Sequence, residues 1–239
     1  MKYNEFERIV SQKRINRYVL AYGGNTRKAM ILYRYNIELS QVMFAIICHF
    51  EVALRNAIDA ILTTRFGGEW LKDSLQPGGL FDTPATKRDF DNVQHAFNKL
   101  QEQNLYSHSK LLASMEFGFW KYQFAPAQYA QTDKKLMKVF PNKTRSTAKR
   151  KYNISYIFNE LDKINTLRNR IAHHEPICFS VKTPIIYTDY ILNEYANITM
   201  LFRWMGIDSK DLLFGLDHVK QICMKINKLK ANIKQYPPV

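Results

Sequence analysis

Cysteines are scarce in this chain, and acidic residues are too few to balance its cations. Its 239 residues carry 21 Asp and Glu against 35 Lys and Arg, a formal net charge of +14. A surplus of that size favours polyanionic partners, either nucleic acid or an anionic membrane surface. The three cysteines, Cys48, Cys178 and Cys223, are odd in number and far apart. That spacing gives no disulfide framework and no thiolate metal site, and it points to a reducing cytosol. No apolar core of signal-peptide length occurs in the opening "MKYNEFERIVSQKRINRY". The most apolar run, "VMFAIICHFEVAL" at 42–54, contains His49 and Glu51 and is too short to span a bilayer. A soluble, cytoplasmic protein is expected. Repeats, low-complexity tracts and clear linkers are missing as well, and strand signals are almost absent.

What is present reads as helix. Ile9, Ile15, Val19 and Leu20 recur at roughly helical spacing and stop at Gly23-Gly24. Asn25-Thr26 can cap the next start, and no proline or glycine occurs from there until Gly67. That length predicts one long helix, or two with a bend near Asn36. Pro77-Gly78-Gly79 marks a loop, 84–104 a further helix, and "SKLLASMEFGFWKYQF" helical structure broken at Gly118. Glu116, Phe117, Gly118 and Trp120 read as a helix-packing motif, with the glycine allowing close approach. A basic connection at 133–151 leads to helices at about 152–173, 185–204 and 209–234. The expectation is a single all-α domain over 1–239, with 84–151 an insert between core helices.

One stretch does not look like structural filler: "TLRNRIAHHEPI" at 166–177. Ile154, Ile157, Phe158, Leu161, Ile164 and Ile171 form an apolar stripe, and Arg168 is expected on that same stripe. A guanidinium facing a core is costly unless it is paired, with Glu51, Glu160 or Asp162 as candidates, or lines a polar cleft. Pro176 disfavours helix at Glu175, so the helix should end near His173 or His174. A cation in a last helical turn complements the macrodipole and is a common cap. That explains one histidine but not a cluster of Arg168, Asn169, Arg170, His173 and His174. Imidazole titrates near neutrality, so acid and base roles are both accessible to it, and Asn169 is one turn behind His173, placed to orient the ring. On a straight helix Arg168 and His173 diverge by about 140°. Either the last turn unwinds, the cleft is wide, or two copies face each other across a twofold axis. "ALRNAIDAIL" at 53–62 opens the same way, but Ala60 and Ile61 stand where a histidine would be. Glu51 and Arg55 there are expected to pair at i, i+4.

Arg168-Asn169-Arg170-Ile171-Ala172-His173 resembles the R-x4–6-H motif of the HEPN superfamily. The wider chain resembles the Abi-like family of bacterial abortive-infection proteins, the AbiD/AbiF type. "HFEVALRNAI" at 49–58, "SMEFGFWKYQF" at 114–124, "VFP" at 139–141 and "LRNRIAHHEPI" at 167–177 carry that resemblance. It implies a HEPN-type helical bundle and, in active members, metal-independent endoribonuclease action, usually in a dimer. By that resemblance Arg168, Asn169 and His173 are the catalytic set. His174, Glu51 and Arg55 are auxiliary, no metal or cofactor is required, and RNA is cut to a 2′,3′-cyclic phosphate and a 5′-hydroxyl.

Basic tracts fit an RNA partner. Lys134, Lys135, Lys138, Lys143, Arg145, Lys149, Arg150 and Lys151 precede the motif helix, and Arg170 lies within it. Lys220, Lys225, Lys228, Lys230 and Lys234 mark the last helix. Such tracts serve either as a phosphate-tracking groove or as a solvated face. Tyr152 and Tyr156 are candidates for base stacking or for the core. The resemblance therefore leads to the expectation of a toxin-like ribonuclease, a homodimer as its family usually is, restrained by an antitoxin or a small RNA. The alternatives are a catalytically silent HEPN RNA-binding or dimerisation module and a helical adaptor.

Overall fold

The computed structural model describes residues 1–231, so Lys234 and the expected end of the last helix lie outside the described residues. Within that range the protein is all-α. Twelve helices occur in order: α1 (Tyr3–Val10), α2 (Gln12–Leu20), α3 (Thr26–Phe66), α4 (Trp70–Asp73), α5 (Lys87–Glu102), α6 (His108–Ala113), α7 (Phe117–Tyr122), α8 (Pro126–Gln131), α9 (Ile154–Ala172), α10 (Asp189–Trp204), α11 (Ser209–Leu212) and α12 (Val219–Ala231). Two short 3-10 turns, Pro84–Thr86 and Leu136–Val139, complete them. The only β pairing among the described residues is an isolated bridge between Phe179 and Ile186.

α3 starts where the sequence indicates. The Asn25 side chain accepts the Lys28 N–H at 3.0 Å, satisfying one of the free donors of the first turn. The helix then runs unbroken for 41 residues, one helix and not two. By length and composition it passes for a membrane-spanning helix, because an 18-residue apolar window fits within it although the 42–54 run alone is too short. Its stripe of Leu32, Leu39, Met43, Ile46, Phe50, Leu54, Ile58 and Leu62 is nevertheless fully buried in the protein. That burial is compatible with a core helix of a soluble protein.

The chain divides into two compact units. Among the described residues the first comprises Met1–Ile47, Leu167–Thr199 and 209–231; the second comprises Cys48–Thr166 and Met200–Asp208. In the first unit, Tyr18 packs edge-on to Tyr33 and to Phe179 at 5.3 and 5.0 Å. α12 is tied down by a Lys225–Glu38 ion pair at 3.0 Å and a Thr188–Asn227 hydrogen bond at 3.1 Å. In the second unit, Phe50 packs on Phe202 and Phe117. Asp59 there accepts a hydrogen bond from Trp70 Nε1 and shares one with His108 Nε2, both at 2.8 Å.

Several expected boundaries shift. The first expected helix splits at Ser11, whose φ of 73° interrupts the ladder between α1 and α2. The break in the 109–124 stretch falls at 114–116, before Gly118, which sits in the first turn of α7. Phe117 and Trp120 are buried, as a packing motif requires. A Cβ at Gly118 would meet nothing within 4 Å, so this glycine does not serve close approach. Residues 185–188 precede α10 rather than belonging to it, and 213–218 separate α11 from α12.

Candidate functional site

α9 ends in a Schellman motif, and that motif organises the cluster. The His174 N–H bonds to the Ile171 carbonyl at 2.9 Å and the Glu175 N–H to the Arg170 carbonyl at 2.8 Å. This places His174 at the left-handed position, with φ 56°. α2 and α10 end with the same pair of bonds, and there the left-handed residue is a glycine: Gly23 at φ 55° and Gly206 at φ 82°. A side chain at such a position costs about 1–2 kcal/mol relative to glycine. His174 therefore occupies a position that glycine favours and bears that cost, as Asn104 does at the end of α5, where the same pair of bonds forms at φ 53°.

Arg170 holds the terminus together. Its Nε reaches Glu175 at 3.3 Å, a second nitrogen donates to the Pro176 carbonyl at 3.0 Å, and its guanidinium lies 5.4 Å from the Tyr190 ring centre. Of the sequence-predicted RNA contacts, Arg170 is thus already engaged within the fold, as is Arg150, which donates to the Tyr156 hydroxyl at 3.1 Å. Asn36 anchors the chain just beyond. Buried on α3, its side-chain oxygen accepts the N–H groups of both Ile177 and Cys178, at 2.8 and 3.1 Å. From α2, Arg14 donates to the His174 carbonyl at 3.3 Å. Arg17 donates to the carbonyls of Thr183 at 2.7 Å and Ser180, and stacks over Phe179 at 4.8 Å. Burial lowers the Arg17 pKa below its usual value, with nearby Arg170 adding to the effect.

Arg168 lies beside the buried stripe instead of on it. The stripe is Ile157, Leu161, Ile164, Leu167 and Ile171, so Leu167 fills the position expected for Arg168. Arg168 is half-buried, one residue round the helix. None of the carboxylates considered for it is seen to neutralise it: Glu160 pairs with Lys163 at 2.9 Å and Asp162 with Lys121 at 2.8 Å. Among the described residues the side chain of Arg168 makes one hydrogen bond, a long one of 3.5 Å to Asn169 Oδ1. The expected contact of the Asn169 side chain with the His173 ring does not form. The i, i+4 relation survives only in the backbone, where the His173 N–H bonds to the Asn169 carbonyl at 2.9 Å, because His173 lies past the last helical residue. His173 and His174 are both exposed.

The near-twin on α3 repeats this local geometry. Leu54 and Ile58 are buried like Leu167 and Ile171, and Arg55 Nε donates to Asn56 Oδ1 at 3.3 Å. Arg55 is not paired with Glu51 as expected, since its guanidinium turns to the adjacent amide. The two stretches part beyond that point. α3 continues to Phe66, whereas α9 stops and presents two imidazoles.

Of the other expected site residues, Glu51, Arg55 and the 134–151 cations belong to the second unit. Lys134, Lys135, Arg145, Lys149, Arg150 and Lys151 are exposed there, and Lys143 is half-buried. Arg150 covers Tyr152 and Tyr156 at 5.3 and 5.1 Å, and both tyrosines pack on buried Trp204. Sequence reasoning missed Arg14, Arg17 and the anchoring role of Asn36. The only signal was the run of cations in α2.

An all-helical protein with its cationic cluster gathered at one exposed helix end is the class that fold and site define. The chain belongs to the Abi-like protein family, whose sequence profile matches residues 2–178. The matched region closes two residues beyond Pro176 and so takes in the whole cluster. Membership supports a role in abortive infection, a form of phage defence. No curated protein and no solved structure matches the chain.

Proposed function

We propose that the chain is a metal-independent endoribonuclease of the HEPN type, acting as a toxin in abortive infection or in a toxin–antitoxin pair. The observation that carries this reading is the un-neutralised Arg168 guanidinium on the same helix end as two exposed imidazoles. RNA brings its own nucleophile. The 2′-OH attacks the adjacent phosphorus, the P–O5′ bond breaks, and a 2′,3′-cyclic phosphate and a 5′-hydroxyl result. His173 takes the 2′-OH proton, a second imidazole returns one to O5′, and Arg168 offsets charge on the non-bridging oxygens. Asn169 orients Arg168, and His174 is auxiliary.

Arg168 lies on α9 and His173 just past its last residue, about 140° apart in azimuth on an ideal continuation of the helix. A twofold homodimer brings the arginine of one copy and the histidine of the other to one groove. Lys134, Lys135, Lys143, Arg145, Lys149, Arg150 and Lys151 contribute backbone affinity. An antitoxin, protein or small RNA, restrains the nuclease in the cytoplasm. Sedimentation of the purified protein should give a dimer, and a strictly monomeric active enzyme would remove that part of the proposal. Expression should arrest growth, and Arg168→Ala or His173→Ala should abolish the arrest. Normal growth with the intact protein, together with salt-sensitive RNA binding and no cleavage, would identify a silent RNA-binding module instead.

A further inference from the structure

α2 carries a second cationic feature next to the helix end. Lys13, Asn16, Arg17 and Leu20 stand at i, i+3, i+4 and i+7, which puts them on one face of α2. That face and the segment Lys182–Pro184 line an open cleft of about 240 Å³. Three of the lining residues, Lys13, Arg17 and Lys182, are cations, and none is acidic. Two like charges at i, i+4 on a short helix are destabilising. Among the described residues none of the three forms an ion pair. The carboxylate whose charge acts on Arg17 is Glu175, already held by Arg170. Arg17 is fixed by the two backbone carbonyls of Ser180 and Thr183, which orient the guanidinium without cancelling its charge. Arg14, next to Lys13 in sequence, touches the His174 carbonyl, so the cleft and the imidazole pair are joined through one helix.

We infer that this cleft is a phosphate subsite for single-stranded RNA, holding the backbone of the strand that runs past His173 and His174. The inference rests on the ribonuclease reading for its location but not for its chemistry. A sugar–phosphate backbone matches a basic cleft that has a small apolar edge at Leu20. An A-form duplex would present its phosphates on a wider, rigid surface.

The test uses the full chain and two exposed positions, Lys13→Gln and Lys182→Gln, which leave the Arg17 contacts in place. The probe is a 2′-O-methyl single-stranded oligonucleotide of about 12 nucleotides, which has no nucleophile and cannot be cut. The double variant should bind it about tenfold more weakly at physiological salt, with the salt slope reduced by about 1.4, as expected for two lost phosphate contacts. Cleavage of a dinucleotide, whose single phosphate lies at the Arg168 site, should be unchanged. Unaltered affinity and slope would overturn the subsite, as would failure of the intact protein to bind the probe. A reduced slope in a protein that cuts no RNA would keep the subsite and reject the nuclease. An equal loss on a duplex probe would reject the single-strand assignment.

Discussion

Arg170 and Glu175 hold each other twice across the end of α9: the Glu175 N–H bonds to the Arg170 carbonyl at 2.8 Å, and the Arg170 guanidinium returns to the Glu175 carboxylate at 3.3 Å. The side-chain half of this exchange stands where Schellman motifs usually carry an apolar contact. It fixes the exit of the chain, and with it the two histidines. Glu175 is largely exposed, so removing its carboxylate alone should cost under about 1 kcal/mol. Arg170→Ala also strips the Pro176 carbonyl and Tyr190 of their partner, and should cost about 1–3 kcal/mol. Denaturant melts of the two variants check this order; equal losses would contradict it.

His174 separates backbone from side-chain roles. His174→Gly should stabilise the protein by up to about 1 kcal/mol, because glycine adopts φ 56° without the Cβ penalty. If the imidazole is auxiliary, activity falls less than in His173→Ala. A lower melting temperature would show that the histidine side chain makes a stabilising interaction that outweighs its backbone cost.

Asn36 should be among the least replaceable residues outside the cluster. Asn36→Leu leaves the Ile177 and Cys178 N–H groups buried without an acceptor, at about 1–3 kcal/mol each. Urea unfolding should report a loss of at least about 2 kcal/mol. Wild-type stability would mean that the segment after Pro176 is not anchored through this amide.

Local signals carry much of this fold and little of the cluster's support. The α3 cap at Asn25, the stops at Gly23 and Pro176, and the absence of strands among the described residues all rest on residues a few positions apart. Periodicity alone puts Arg168 on the buried stripe because Ile164 and Ile171 frame two candidate positions, and only packing decides that Leu167 fills the apolar one. The anchors that fix the site join residues more than a hundred positions apart: Asn36 to Ile177, Arg14 to His174, Arg17 to Thr183. No local pattern announces such pairings. The left-handed turn at His174 is equally hidden, since histidine does not mark the position as glycine does.

The buried thiols should be inert in the folded protein. Burial pushes Cys178 up to about 12 and Cys223 up to about 11, because the thiolate loses its hydration. Neither should react with iodoacetamide at pH 8 until the protein is unfolded. Native labelling of Cys178 would show that the segment after α9 opens readily.

The most direct measurement is cleavage of a single-stranded RNA in EDTA by the intact protein, Arg168→Ala, Arg168→Lys and His173→Ala, with the product ends identified. A metal-independent nuclease built on Arg168 and His173 should leave 2′,3′-cyclic phosphate and 5′-hydroxyl ends. Each variant should lose on the order of a hundredfold or more in rate, lysine failing nearly as badly as alanine because a planar two-pronged clamp is lost. Intact RNA in EDTA with cutting restored by magnesium, or full activity without Arg168, would contradict it.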